Sequence, residues 1–251
     1  MLEVKHLFKS YQTGATKYEV LKDISLKVNK GEFVAVMGPS GSGKTTLLNS
    51  ISCFIPFEKG EILLGGENIA HLKEDELAVI RNEKLGFVFQ DYMLLDGLSV
   101  FDNICLPQII ANKPPKPMEI KAKKLCEIFG IDPIKNKYPG EISGGEKQRT
   151  AVARALINDP LIILADEPTG NLDSKSCRQV IDSFLNAKKQ LNATVFMVTH
   201  DCFAASFADR VILLKDGKVE EELQHKGTPL EFMDTLLDTL KRLGGESFDH
   251  E

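Results

Sequence analysis

Residues 140–156 read GEISGGEKQRTAVARAL, in which a serine and two glycines lead into a stretch with helical periodicity. Serine is favoured at the start of a helix, and glycines leave the first backbone N–H groups of that helix accessible. A helix N-terminus also carries a partial positive charge and binds anions. The stretch therefore predicts a helix whose first turn faces an anionic oxygen.

A second glycine-rich loop precedes it in the chain. GPSGSGKT at 38–45 fits G-x-x-x-x-G-K-[ST] without a mismatch, follows the apolar run EFVAVM (32–37) and opens a helical stretch. That motif in that context is typical of nucleoside triphosphate binding. We expect Lys44 to reach the β- and γ-phosphates and Thr45 to ligate Mg²⁺. The residues predicted to contact the nucleotide are Gly38, Pro39, Ser40, Gly41, Ser42, Gly43, Lys44, Thr45 and Thr46.

A pair of carboxylates follows the apolar run LIILAD (161–166). If that run is a buried strand, the neighbouring side chains of Asp166 and Glu167 point to opposite faces and take different roles. Asp166 is suited to help at Mg²⁺, directly or from outside its ligand shell. Glu167 is suited to polarise an attacking water as a general base. The alternative interpretation is a strand end at which two charges meet solvent.

Composition places the chain among ordinary soluble globular proteins, with 251 residues, 43% hydrophobic and 27% charged. No window approaches the roughly 18 to 20 consecutive apolar residues of a membrane span, and the start lacks a secretory signal, so we expect a cytosolic chain. The formal net charge of −5, without a long basic block, argues against a nucleic-acid partner. Scattered cysteines without a C-x-x-C pair favour free thiols over a metal site.

Apolar runs typical of buried strands stand on both sides of a tract with helical periodicity, which extends from about 92 to 157. The strand-like run LGFVFQ (85–90) precedes the tract, and ATVFMVTH (193–200) and RVILL (210–214) follow it. Within the tract, KPPKP (113–117) predicts a loop between two helices, because proline disrupts a helix interior. The pattern predicts an α/β core interrupted by a helical insertion.

Near the start of the chain, the pattern indicates short strands. ISLKV (24–28) places Ile24, Leu26 and Val28 on one face of a strand. EILLGGENI (61–69) predicts a hairpin that turns at its two glycines.

The last part of the chain, from about residue 226, predicts one more helix. Thr228 can cap it, Pro229 suits the first helical position, and Glu231 completes a capping box. We interpret its apolar stripe as a surface that packs on the parent domain, with binding to a partner as the alternative. The stripe consists of Leu230, Met233, Leu236, Leu237 and Leu240.

Five motifs occur in the order typical of ATP-binding cassette (ABC) ATPases: GPSGSGKTT, FVFQ, ISGGEKQR, LIILADEPTGNLD and VFMVTHD. The resemblance covers about residues 1–222 and implies a P-loop (RecA-like) α/β core with an N-terminal antiparallel β subdomain and a helical insertion. It divides this domain into a catalytic core (1–91 and 158–222) and a helical subdomain (92–157), followed by a C-terminal helical tail (223–251).

The resemblance implies roles for residues outside the phosphate loop. Tyr11 is similar to the aromatic residue that stacks on adenine, with an ordinary strand tyrosine as the alternative. Gln90 matches the glutamine that joins Mg²⁺ and the attacking water to the transport partner. Asp173 matches an aspartate that communicates across a dimer. His200 matches a histidine that contacts the γ-phosphate and holds the water in place.

The resemblance also implies a purpose for the second glycine-rich loop. Ser143, Gly144 and Gly145 match the signature loop that contacts ATP held by the opposite subunit, so two copies would enclose two ATP molecules head to tail. Hydrolysis would then separate them. The family signature often reads LSGGQ, whereas this chain has Ile142 and Glu146. We expect an additional carboxylate at Glu146 to weaken phosphate binding. The sequence does not say which residues Glu146 contacts.

The segment GFVFQDYMLLDGLSVFDNICLP (86–107) is similar to ATPases of lipoprotein release, macrolide export, FtsE-type cell-division complexes and, most closely, bacitracin and lantibiotic resistance. The resemblance implies ATP and Mg²⁺ as cofactors and a separate permease of the FtsX/MacB kind, with a sensor histidine kinase often alongside it. It implies a cytoplasmic location at the inner face of the cell membrane. The alternative is a lipoprotein-release or FtsE-like ATPase that regulates a membrane partner without transport.

An apolar segment, YMLL at 92–95, follows Gln90. We interpret it as a docking surface for a permease helix, with packing inside the helical insertion as the alternative.

Overall fold

The computed structural model describes residues 1–14 and 16–245 of the chain, so residues 246–251 of the predicted tail lie outside the described part. The strands are β1 (Leu2–Thr13), β2 (Thr16–Val28), β3 (Phe33–Met37), β4 (Lys59–Leu64), β5 (Glu67–Asn68), β6 (Leu85–Phe89), β7 (Ile162–Asp166), β8 (Val195–Val198), β9 (Arg210–Lys215) and β10 (Lys218–Gln224). The helices are α1 (Lys44–Ile51), α2 (Glu74–Glu83), α3 (Val100–Ile110), α4 (Pro115–Ile128), α5 (Gly144–Leu156), α6 (Ser174–Leu191), α7 (Cys202–Ala205) and α8 (Pro229–Gly245).

The central sheet has six strands in the order β10-β9-β3-β8-β7-β6. Its neighbouring strands from β9 to β6 run parallel, and β10 pairs antiparallel with β9. Strands β3 and β8 are buried along their whole length, as expected for continuous apolar runs covered on both faces. The carboxyl ends of the parallel strands meet at one edge, and this edge positions the candidate site.

A second sheet, in the order β2-β1-β4-β5, is antiparallel. Ile24, Leu26 and Val28 are buried together, as the alternation in the sequence predicts. The turn between β4 and β5 has φ values of 62° at Gly65 and 92° at Gly66. Two successive positive φ values belong to the type I′ turn that matches the twist of a hairpin, so the predicted hairpin is confirmed.

The central sheet separates two apolar cores. Strand β8 contributes to both because its side chains alternate: Phe196 enters the core shared with the antiparallel sheet, α1 and α2. Met197 enters the core shared with α3 to α8. Each such fully buried side chain contributes about 1.5–3 kcal/mol. Apolar packing on both faces therefore holds the central sheet in place, including the edge at which its parallel strands end.

The helical insertion consists of α3, α4 and α5, with two short 3₁₀ turns before α5. The prediction that KPPKP (113–117) forms a loop was wrong in part. Helix α4 begins at Pro115, with Pro117 in its first turn and Pro114 as its N-cap. The first N–H groups of a helix have no partner within the helix, so proline is tolerated there and fixes the required φ.

Helix α8 has the predicted capping box. Glu231 Oε2 accepts hydrogen bonds from Thr228 N at 2.7 Å and from Thr228 Oγ1 at 2.9 Å. Its buried residues include Phe232, Leu236 and Thr239, whereas Leu230 and Leu237, which the predicted stripe included, are 65% and 38% exposed. The helix packs on the domain, and of the predicted stripe Leu236 is buried and Leu240 packs against the core. Phe232, which the predicted stripe left out, contacts the His225 ring. Across the described residues, none of the helices combines the length and hydropathy that a membrane crossing requires.

Candidate nucleotide site

The loop between β3 and α1 carries the first glycine-rich motif. Two positions of the loop require glycine. A Cβ at Gly38 would lie 2.0 Å from the carbonyl oxygen of Leu214, and Gly43 has a φ of 100°, which favours glycine. The buried Lys44 side chain folds back on this loop, and its Nζ donates hydrogen bonds to the carbonyl oxygens of Gly38 (2.8 Å) and Pro39 (2.9 Å). Burial lowers the pKa of the Lys44 ammonium, and two nearby carboxylates oppose that shift.

Among the described residues, no side chain caps the N-terminus of α1. Its N-cap makes no side-chain hydrogen bond, and its first turn contains no acidic residue. Ser42 Oγ is buried and has no hydrogen-bond partner among the described residues. Ser40, Gly41 and Thr45, also predicted to contact the nucleotide, are exposed, and Thr46 is half-buried. The loop therefore presents donors that an anion from outside the chain can use.

Asp166 ends β7 beside this loop. Burial, and then the neighbouring Glu167, raises the pKa of the Asp166 carboxyl, while the Thr45 hydroxyl and the Lys44 ammonium lower it. The Asp166 Oδ1 atom is buried without a hydrogen-bond partner among the described residues. A hydroxyl and an unpartnered carboxylate oxygen are ligands of the type that Mg²⁺ takes, together with water and phosphate oxygens. The described residues contain no cluster of three His, Cys, Asp or Glu side chains suited to a metal. These two side chains therefore fit an ion held mainly by the nucleotide.

Glu167 and His200 are in direct contact. Glu167 Oε2 lies 3.0 Å from His200 Nδ1 and accepts a hydrogen bond from His200 N at 3.2 Å. Glu167 has left the strand and has a φ of 45°, so its direction is set by this left-handed turn rather than by strand alternation. The side chain of Glu167 is 17% exposed and that of His200 is 71% exposed. The pair therefore combines a shielded carboxylate with an imidazole open to a ligand.

Gln90 follows β6 and lies against the turn after Glu167. Its Nε2 donates a hydrogen bond to Asn171 Oδ1 at 3.1 Å, and Asn171 Nδ2 donates to Asp91 Oδ1 at 3.2 Å. A Cβ at Gly170 would lie 3.0 Å from Gln90 Nε2. Asn171 was missed in the sequence, although it precedes the predicted Asp173 in the same GNLD motif. It joins the segment after β6 to the segment after β7.

The second glycine-rich loop caps α5, and here the chain supplies its own anion. Glu146 Oε2 accepts hydrogen bonds from Ser143 N at 2.8 Å and from Ser143 Oγ at 2.7 Å. Ser143 Oγ in turn accepts a hydrogen bond from Glu146 N at 3.4 Å. The backbone hydrogen bond from Ser143 is the largest cause of the lowered pKa of the Glu146 carboxyl. Glu146 therefore completes a capping box and carries a charge.

The glycines of this loop are pressed against two neighbouring segments. A Cβ at Gly144 would lie 2.9 Å from the Tyr92 hydroxyl. A Cβ at Gly145 would lie 3.1 Å from the Ser176 side chain, in the first turn of α6. No hydrogen bond among the described residues joins the loop 143–146 to the loop 38–44. The two glycine-rich loops of one chain are therefore held by different surroundings.

Asp173 and Tyr11 have local contacts. Asp173 caps α6 and accepts hydrogen bonds from Ser176 N at 3.0 Å and Ser176 Oγ at 2.8 Å. These bonds lower the pKa of the Asp173 carboxyl. Tyr11 lies on β1, is 42% exposed, and has Lys9 Nζ 4.9 Å from its ring centroid. No hydrogen bond among the described residues joins Asp173 or Tyr11 to Lys44.

Arg154, which the motifs did not single out, ties α5 to the segment after Gln90. Its guanidinium donates hydrogen bonds to the carbonyl oxygens of Met93 and Tyr92, the latter at 2.7 Å. Burial lowers the pKa of Arg154 to about 10. Tyr92 and Met93 both have left-handed backbone, with φ values of 60° and 49°. Gln148 Nε2 adds a hydrogen bond to the carbonyl oxygen of Phe89 at 3.1 Å.

The family model described as ABC transporter matches residues 21–170. The chain belongs to the ABC transporter family. This confirms the prediction made from the five motifs.

Two curated relatives match along almost the whole chain. The chain is 47% identical to ABC transporter ATP-binding protein YxdL of Bacillus subtilis, over 99% of this chain and 96% of YxdL. It is 48% identical to bacitracin export ATP-binding protein BceA of Halalkalibacterium halodurans, over 100% of this chain and 99% of BceA.

A solved structure shows the same fold. The dimeric ATP-binding cassette MJ0796, in a post-hydrolysis state bound to ADP and Pi, superposes with a TM-score of 0.81 at 38% identity. The match covers 90% of this chain and all of that chain. The predicted P-loop α/β fold with an antiparallel β subdomain and a helical insertion is confirmed. The chain is an ABC-type, ATP-binding ATPase.

Proposed function

We propose that two copies of the chain hydrolyse ATP at sites that neither copy completes alone. In each site, the loop 38–45 of one copy would hold the phosphates, and Ser143, Gly144 and Gly145 of the other would close over the γ-phosphate. The observation that supports this is that no described hydrogen bond joins the two loops within one chain. The dimeric state of the solved relative MJ0796 supports it further.

Within one copy, the phosphate loop has the groups that such a site requires. N–H groups of the loop and the start of α1 would surround the β- and γ-phosphates. Lys44 would exchange the carbonyl oxygens of Gly38 and Pro39 for phosphate oxygens of higher charge. Mg²⁺, when bound, neutralises charge that develops on the phosphates. Thr45 and Asp166 would hold that ion, and the unpartnered oxygen of Asp166 supports this assignment.

For the chemical step, we assign Glu167 as the general base that orients and polarises the attacking water. His200 would hold Glu167 Oε2 through the contact at 3.0 Å and present its exposed ring to the γ-phosphate. Gln90 would contribute to the Mg²⁺ and water positions, and Asn171 would orient the Gln90 amide. Tyr11 would stack on adenine, and Asp173 would act near the second copy.

We divide the chain into three parts according to these proposed roles. We assign residues 1–91 and 158–222 to the catalytic core, 92–157 to a helical subdomain that moves with ATP, and 223–251 to a tail. Helices α3, α4 and α5 all fall within the second of these ranges.

We propose that a separate membrane permease of the FtsX/MacB type uses the energy of this cycle. A groove of about 300 Å³ between α3 and β6 is lined by Phe87, Leu106, Ile110, Met93 and Arg154 among others. Met93 is 58% exposed and Ile110 is 66% exposed. This groove suits an apolar helix from the permease, and it would place the chain in the cytoplasm at the inner face of the membrane.

The cargo we propose is an antimicrobial peptide of the bacitracin or lantibiotic type, for export or resistance, since the match to BceA covers both chains almost completely. A sensor histidine kinase would be reached through the permease. The alternative is a lipoprotein-release or FtsE-like role in which the same ATPase regulates a membrane partner. ATPase rates of the reconstituted chain and permease, with and without bacitracin, separate these readings: stimulation supports the first, and an unchanged rate at saturating bacitracin opposes it.

The shared site is tested by Glu167→Gln. Loss of the general base should slow hydrolysis by about 100-fold or more while ATP still binds. The variant should therefore accumulate as a dimer with ATP and remain a monomer without it, as measured by sedimentation velocity. Glu231→Gln is the matched control, because it removes the capping-box carboxylate of α8. It should hydrolyse ATP at the wild-type rate. An ATP-saturated Glu167→Gln monomer would contradict the shared site.

A further inference from the structure

Glu146 accepts hydrogen bonds from both the backbone and the side chain of Ser143, the residue that is proposed to contact a phosphate. Its Oε2 atom accepts hydrogen bonds from both the N–H (2.8 Å) and the hydroxyl (2.7 Å) of Ser143. A serine hydroxyl has one proton, so while it is donated to Glu146 it is not available to another acceptor. Among the described hydrogen bonds, none is donated by the N–H groups of Gly144 and Gly145. The loop is therefore part occupied and part open.

The charge of Glu146 has a defined environment. It lies in the first turn of α5, where the helix dipole and the N–H groups favour an anion. Arg149 and Lys137 are the nearby cations, and both lower the pKa of the carboxyl. The Arg149 guanidinium is already engaged, since its Nη1 donates a hydrogen bond to Gln179 Oε1 at 2.6 Å. The carboxylate is thus ionised, and one of its two nearby cations is also bonded to Gln179.

We propose that Glu146 is a positioning residue that weakens the ATP-bound dimer by retaining the Ser143 hydroxyl and by repelling the γ-phosphate held by the second copy. This inference rests on the proposed function. Two anions would compete for one set of donors at the start of α5. When the copies close, Glu146 must release Ser143 or accept a phosphate as a close neighbour of like charge. Either event raises the free energy of the closed dimer relative to the separated chains.

The sign of the effect distinguishes this role from a structural one. A capping box stabilises the start of its helix. If Glu146 only supported α5, its removal would loosen the loop and weaken the dimer. If it competes with phosphate, its removal frees Ser143 and strengthens the dimer.

The test uses the full chain in the Glu167→Gln background, so that ATP is not consumed. Dimer dissociation constants with saturating ATP are measured by sedimentation equilibrium for three additional substitutions: Glu146→Gln, Glu146→Ala and, as the control, Glu231→Gln. The control is closely matched, because Glu231 accepts from Thr228 N at 2.7 Å and Thr228 Oγ1 at 2.9 Å in the same capping-box pattern.

We expect Glu146→Gln, which removes the charge but keeps an acceptor for Ser143, to lower the dissociation constant by about tenfold, because unit charges of like sign a few Å apart repel strongly even in a solvated site. Glu146→Ala, which also frees Ser143, should lower it at least as much. The gain should shrink in high salt, where that repulsion is screened. Glu231→Gln should leave the constant unchanged within about twofold. With the wild-type Glu167, Glu146→Gln should lower the KM for ATP without raising kcat, since dimer opening becomes slower.

Two results separate the levels of the proposal. If the Glu167→Gln background dimerises with ATP and both Glu146 variants leave the constant unchanged or raise it, the role of Glu146 is overturned while the shared site stands. If the background does not dimerise at saturating ATP, the shared site fails and the role of Glu146 fails with it. Thermal unfolding of each variant, compared with that of Glu231→Gln, shows whether α5 remains folded.

Discussion

The two glycine-rich loops of this chain begin helices of opposite character. Helix α1 begins at a glycine N-cap with no side-chain hydrogen bond and no acidic residue in its first turn. Helix α5 begins at a serine N-cap that is bonded to an acidic residue three positions later. The first N-terminus therefore leaves its donors to an external anion, whereas the second is satisfied in part by Glu146 of its own chain. On the proposed function, a phosphate would complete the first loop and would compete with Glu146 for the second.

The strongest way to break this comparison is to disable each loop in a different chain. Lys44→Ala should lose ATP binding by about tenfold to a hundredfold, because it removes the charged donor to the phosphates. Ser143→Arg should block closure by filling the second loop. Each variant alone should be inactive. A one-to-one mixture should regain up to about one quarter of wild-type activity, because half of the dimers are mixed and each has one intact site.

Steady-state ATPase rates across a titration of the two variants measure this rescue. Lys241→Ala is the control for the loss of a lysine, because the Lys241 side chain is 76% exposed. A mixture no more active than its separate components would show that the two loops do not act on the same nucleotide.

A smaller effect sharpens the comparison by using the two capping boxes of the molecule. Ser143→Ala and Thr228→Ala each remove an N-cap hydroxyl, and each should lower the free energy of unfolding by about 1 kcal/mol. Only Ser143→Ala should also lower the ATPase rate, because only its hydroxyl is proposed to reach a phosphate. Urea unfolding and ATPase assays on the same samples check this. Equal ATPase rates in the two variants would make Ser143 a helix cap and nothing more.

Local rules in the sequence predicted the fold well where one segment decides the structure. The hairpin at Gly65 and Gly66 and the capping box at Thr228 and Glu231 depend on neighbouring residues, and both are present. The face that α8 buries depends on what packs against it. The Phe232 contact with His225 was therefore not visible in the helical periodicity.

The candidate site shows the same division. The loop 38–45 is a continuous motif whose geometry is set within a few residues, and the sequence identified it. Asn171 and Arg154 act across long sequence separations, on Gln90 and on the carbonyl oxygens of Tyr92 and Met93. No spacing rule connects such partners. Glu146 is the intermediate case: its position was noted in the sequence, but only the structure shows which donors it occupies.

The pair Tyr92 and Met93 has a consequence for the balance between stability and activity. Both residues hold a left-handed backbone, which costs about 1–2 kcal/mol for each side chain other than glycine. Glycine at either position would avoid this steric cost. The side chains present instead place a hydroxyl against Gly144 and a thioether in the groove beside α3. This short segment therefore gives up some stability in order to connect the groove beside α3 with the loop 143–146.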